Sequence, residues 1–133
     1  MHWSHSFVGI PYIDLGRDRS GADCWGLVRM IYDEIACIDL PAFDSAYASA
    51  EERAEVAAVI ADQQATGPWR QVDAPRMLDI AVFRFSIQCH VGVVIEPTLM
   101  LHAVAGQQSA MQRYDRDPWA RRLVGIYRHE ALA

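Results

Sequence analysis

The sequence predicts an α+β domain in which N-terminal helices pack on a central antiparallel sheet, and three observations predict it. Helical spacing of apolar residues is confined to the first half of the chain, strand-like alternation starts at Asp79, and Glu96-Pro97-Thr98 reads as a hairpin turn between two apolar runs. Helices first and strands second is the order that segregates the two layers. The 133 residues are 52% hydrophobic and include four Trp, which suits one domain spanning 1–133 with a core of its own.

Residues 7–13, with Pro11 among them, suggest a short helix or an irregular segment, and a polar loop over 14–21 carries Gly16 and Gly21. Asp23 is a good N-cap. Val28, Ile31, Tyr32 and Ile35 follow at i, i+3, i+4 and i+7, so the spacing predicts a helix over 24–35 with one buried face. Pro41 interrupts the pattern. Ser49-Ala50-Glu51-Glu52 then reads as a capping box opening a second helix to about Ala65, ended by Gly67 and Pro68. Its narrow stripe of Val56, Val59 and Ile60 predicts a surface position. Strand-like runs follow over 80–85, 89–95 and 99–105. Asp117-Pro118 resembles a helix N-cap with Pro at N1, giving one helical turn before a last strand over 123–128.

The net charge of -5, with no basic run longer than Arg121-Arg122, supplies no electrostatic footprint for nucleic acid. No apolar run reaches the ~20 residues of a membrane span, and the first ten residues lack the basic and apolar regions of a signal peptide. The expectation is a protein made in the cytoplasm, not exported by the standard route and not inserted in a membrane. Cys24, Cys37 and Cys89 form an odd set without CxxC spacing, which suggests neither a disulfide framework nor a structural zinc site.

At least one thiol therefore stays free, and Cys24 is placed to use it. The first turn of a helix surrounds a thiol with unsatisfied backbone N–H groups and the positive end of the dipole, both of which favour thiolate; the carboxylate of Asp23 opposes them. On local signals alone, a small apolar residue packed at a helix start is the commoner case. A nucleophile needs a base, and near neutral pH that means histidine. His2, His5 and His129 read as solvated residues near the termini. His90 and His102 lie inside strand-like runs, symmetric about residue 96, so a hairpin centred there brings them close to opposite one another. One imidazole then takes the thiol proton while the other orients it. Paired sheet histidines without chemistry, and a Cys/His/His zinc site, remain open; the zinc reading lacks a carboxylate base or HExxH-type spacing.

With these residues in place, the chain resembles the NlpC/P60 family of papain-like cysteine peptidases, and within it the single-domain members of phage tails. The resemblance covers nearly the whole chain. It rests on VGIPY ending at Tyr12, ADCWGLV around Cys24, CHVGVVIE around His90 and LHA around His102, with LDIAVF from Leu78 similar to the family's first core strand.

The resemblance implies Cys24 as nucleophile, His90 as general base and then acid, His102 as orienting residue, and Tyr12 as a hydroxyl beside the nucleophile that helps bind the oxyanion. It implies no cofactor and no metal. Asp23 matches an acidic residue that receives the free amine of a stem peptide in some members, beside its reading as a cap. Trp25 replaces the small polar residue of the common DCSG, at the edge of the site, and alters substrate recognition more than chemistry. The implied reaction is amide hydrolysis in peptidoglycan stem peptides, at the γ-D-glutamyl to diamino-acid bond, with phage tail-tip or hub proteins as partners and a virion tail as the location. An idle structural tail subunit of the same fold, and an amidase or acyltransferase of the same superfamily, stand as alternatives.

Overall fold

The structure is a computed structural model and describes residues 2–13, 16–40, 68–85 and 88–132. The expected second helix and Pro41 lie outside the described residues. A 3-10 turn, Trp3–Phe7, comes first, capped by the His2 ring, which accepts from the Ser4 N–H. Beyond it the chain is extended rather than helical, because its polar groups are taken by a distant loop. The Gly9 N–H donates to the Ser109 carbonyl at 2.8 Å, the Ile10 N–H to the Ser109 hydroxyl at 2.9 Å, and that hydroxyl donates to the Phe7 carbonyl at 2.5 Å.

A small ribbon of β1 (Arg17–Asp18) and β2 (Gly21–Ala22) leads into helix α1, Cys24–Ile31. Asp23 caps it as expected, its carboxylate accepting from the Gly26 N–H at 2.7 Å, an interaction worth about 1 kcal/mol in such positions. The helical path continues to Ala36, but over Tyr32–Ala36 it widens to a π-helical turn, and Cys37 closes it in the left-handed region at φ 57°.

The main sheet has six strands: β3 (Trp69–Val72), β4 (Ile80–Phe85), β5 (Gln88–Glu96), β6 (Leu99–His102), β7 (Ala110–Arg113) and β8 (Leu123–His129). Their order is β3-β8-β4-β5-β6-β7, antiparallel throughout. The α+β expectation holds. Both edge strands, β3 and β7, escape the sequence reading, since Trp69–Val72 and Ala110–Arg113 are short and largely solvated.

One face of the sheet buries Val82, Val91, Val93 and Leu101 against Leu27, Val28 and Ile31 of α1. The other face gathers Ala81, Phe83, Val94, Met100 and Ile126 under Trp119. That Trp opens a one-turn helix α2, Trp119–Arg122, whose N-cap is Pro118 without a side-chain bond, so the expected Asp117 cap is one residue out; the Asp117-Pro118 peptide is cis.

A buried ion pair fastens the sheet centre. Asp79, 1% exposed, takes both arms of the Arg128 guanidinium at 2.8 and 2.7 Å and the Arg76 N–H at 2.8 Å, which satisfies a charge that burial would otherwise penalise. Among the described residues no helix is long and apolar enough to cross a membrane.

Candidate active site

Cys24 is the first residue of α1, and its side chain is 5% exposed at the seam between the helix and β5. Backbone groups of Val91, Trp25 and Cys24 itself favour its thiolate, as the helix N-terminus predicts. They are outweighed. Burial first, and the Asp23 charge second, push the thiol up to about 12. Desolvation of a small enclosed group exceeds the pull of three amides. In the resting protein the sulfur keeps its proton.

The Val91 backbone that reaches Cys24 belongs to the residue after His90. Val91 packs in the helix-side core, and the His90 ring contacts Phe83 and Trp119. His90 Nε2 lies 2.8 Å from His102 Nδ1, and His102 Nε2 lies 3.0 Å from Gln112 Oε1.

The two histidines were expected close to opposite one another. The register places Gly92 opposite His102: the turn pairs Glu96 with Leu99, and Ile95, an extra residue between that pair and Val94–Met100, moves the register by one. The hairpin centre moves by one position, which shifts the pairing by two and leaves His90 on the same face, diagonal to His102. The rings still meet.

Gly92 makes the diagonal possible. A Cβ there sits 2.8 Å from Met100 Sδ and 3.3 Å from His102 Cβ, and Met100 is fully buried with nowhere to retreat. Gly92→Ala is expected to cost about 1–3 kcal/mol of stability in a urea titration. It is also expected to loosen the His90 to His102 bond, read as faster exchange of the ring N–H protons with water; unchanged exchange overturns the spacing argument.

His102 is 2% exposed, and burial drives it down to about 4 against the opposing pull of its Gln112 bond, so it is neutral at pH 7. Trp119 encloses the pair, its ring 5.2 Å from His90 and edge-on 4.9 Å from His102. Neither Gln112 nor Trp119 was singled out by the sequence. The strand bearing Gln112 sits in the polar stretch GQQSAMQR, and Trp119 follows a turn with no periodic signal around it.

Tyr12 is half-buried against the helix-side core. Its N–H donates to the Gln107 carbonyl at 3.2 Å, and the neighbouring Pro11 carbonyl accepts from Ala22, two residues before Cys24. The backbone of Tyr12 is thereby threaded between the Cys24 loop and the loop after β6.

One expectation at the helix start changes. Asp23 is 0% exposed and its carboxylate accepts the Gly26 N–H in the cap. Trp25 is 1% exposed inside the core, not at the site's edge, because N-terminal residues of α1 face the sheet. Among the described residues no three His, Cys, Asp or Glu cluster at metal-binding distance.

A thiol at the start of a helix, laid against an antiparallel sheet that carries paired histidines on adjacent strands, defines the papain-like α+β class. Within that class, residues 9–128 match the NlpC/P60 family, and the chain belongs to it.

Solved structures with the same fold include the NlpC/p60 domain of the peptidoglycan hydrolase SagA, 17% identical with a TM-score of 0.62 over 92% of this chain and 90% of that one. An NlpC/P60 family protein from Bacillus cereus is 21% identical with a TM-score of 0.67 over 95% of this chain. A lipoprotein-like NLP/P60 protein from Staphylococcus aureus is 20% identical with a TM-score of 0.66 over 95%. The chain spans 37% and 38% of the length of those last two. At such identities the likeness shows the fold alone. No curated protein matches the sequence.

Proposed function

We propose that the protein is a cysteine peptidase that hydrolyses amide bonds of peptidoglycan stem peptides, cutting between γ-D-glutamate and the diamino acid. NlpC/P60 proteins are cysteine peptidases acting on peptidoglycan, and the observation that carries the assignment to this chain is the His90–His102 bond one residue from the strand backbone that contacts Cys24.

The sulfur of Cys24 attacks the scissile carbonyl as its proton passes to His90 Nδ1. The oxyanion takes hydrogen bonds from the Cys24 N–H and the Tyr12 hydroxyl, and His90 returns the proton to the leaving amine. Water then attacks the acyl-enzyme, with His90 again as base. Asp23 holds the helix start that aims the thiol, and Trp25 shapes the wall beneath it.

The setting, a phage tail tip held by tail or hub proteins against the host wall, rests on the likeness of the four motifs to tail-borne members. The direct test incubates the purified chain with peptidoglycan or a synthetic stem peptide. Wild type is expected to release new amines, and Cys24→Ala to release them about ten-thousandfold more slowly or not at all. Equal, minimal release from both removes the enzyme reading in favour of an idle structural subunit. Mass spectrometry of the product separates hydrolysis, which splits the peptide and adds water, from deamidation, which leaves it whole.

A further inference from the structure

We propose that Gln112 is a positioning residue: its side-chain oxygen, at the end of a hydrogen-bonded line crossing β5, β6 and β7, sets the tautomers of both His102 and His90. The inference rests on the proposed role of His90 as base, and it concerns which of that ring's nitrogens bears the proton.

The line is built by register. His102 stands opposite Gly92 on β5 and opposite Ala110 on β7, while Gln112 stands opposite Met100. His90 therefore lies two residues to one side of the Gly92–His102–Ala110 row, and Gln112 two residues to the other, all on one face. Small neighbours at 92 and 110 leave room for the larger diagonal partners. No bulky residue stands directly across from the His102 ring.

A neutral imidazole has one donor and one acceptor, so a polarity imposed at one end passes along the chain. Gln112 Oε1 can only accept. His102 Nε2 must then carry the hydrogen, its Nδ1 is a lone pair, and His90 donates to it from Nε2. In neutral His90 this leaves Nδ1 unprotonated, which is the form able to take a proton from a thiol.

The reverse polarity, with an amide N–H2 of Gln112 facing His102, protonates Nδ1 of both rings and gives His90 the wrong tautomer. The buried, neutral state of His102 keeps the chain directional, since a doubly protonated His102 would donate from both nitrogens and end the acceptor at Nδ1.

The test reads tautomers directly, by the 15N resonances of the histidine rings in the full-length chain near pH 7, with Gln112→Glu and Gln112→Leu beside the wild type. Gln112 is exposed on an edge strand, so both variants are expected to keep the fold, checked by thermal melting. Wild type and Gln112→Glu, each offering an acceptor, are expected to show the hydrogen on Nε2 of both His90 and His102. Gln112→Leu is expected to show mixed tautomers at both rings and a fall in kcat of about tenfold at unchanged KM, as for the loss of other outer hydrogen-bond partners.

Unmixed wild-type tautomers in Gln112→Leu overturn the proposal. Because the resonances need no turnover, tautomers that mix as expected in a chain that cuts nothing leave this inference standing and remove the proposed function instead.

Discussion

His90→Ala is expected to lower kcat/KM on a stem peptide by about ten-thousandfold, the upper range for loss of a general base. The reason lies in the thiol, not in the histidine. With burial and the Asp23 charge pushing Cys24 up to about 12, thiolate is scarce near pH 7. A base that takes the proton during attack is then indispensable, whereas a thiol activated by its helix alone would lose little.

The two cases separate by pH. Without His90, the residual rate is expected to rise about tenfold per pH unit between roughly 7 and 10, tracking the thiolate population. The wild-type rate levels off once its base is unprotonated. Steady-state kinetics across that range check it, and a His90→Ala enzyme that keeps more than a tenth of the wild-type rate at pH 7 removes His90 from the mechanism.

His102→Gln is expected to flatten the acid limb of the stability curve. The native ring is held near 4 and the unfolded ring titrates at 6.5, so between these values the unfolded chain binds a proton that the native protein refuses. The contribution of His102 to stability is therefore complete above about 6.5 and declines as pH falls through 4. The span amounts to about 3 kcal/mol at 1.36 kcal/mol per unit.

Glutamine at 102 keeps a polar side chain and does not titrate. Urea unfolding at pH 7, 5.5 and 4 is expected to show the wild type losing stability faster than the variant by that order. Other carboxylates and histidines act on both proteins and cancel in the difference. Parallel curves mean that His102 titrates alike in the native and unfolded chains.

The residues legible in the sequence are those whose signals are local. Asp23 followed by Val28, Ile31 and Tyr32 marks the start and buried face of α1, and Pro97 between two apolar runs marks the β5–β6 hairpin. That His90 and His102 share a face does not follow from period two alone: the Glu96–Leu99 pair at the turn would put them on opposite faces, and the extra residue at Ile95, which has no signature in the sequence, restores the match.

The enclosure of Cys24 escapes the sequence for a different reason. Backbone amides at a helix start are visible in a sequence, but the burial that raises the thiol is made by packing between segments distant in the chain. The Asp23 cap on Gly26 is local and legible, whereas the packing that sinks Trp25 into the core, away from the site's edge, is a tertiary fact. Gln112 and Trp119 lie in polar or turn-rich stretches where neither period speaks, and only the neighbouring strands give them a role.

Trp119 carries one consequence beyond packing. An excited indole readily gives an electron to a protonated imidazole and hardly at all to a neutral one, and its ring lies within 5.2 Å of both His90 and His102. Any event that leaves a proton on either ring should dim the emission of this one tryptophan. With Trp3 and Trp69, which also lie against histidines, replaced by Phe, changes in that emission follow the proton inventory of the pair in a stopped-flow fluorimeter without a label.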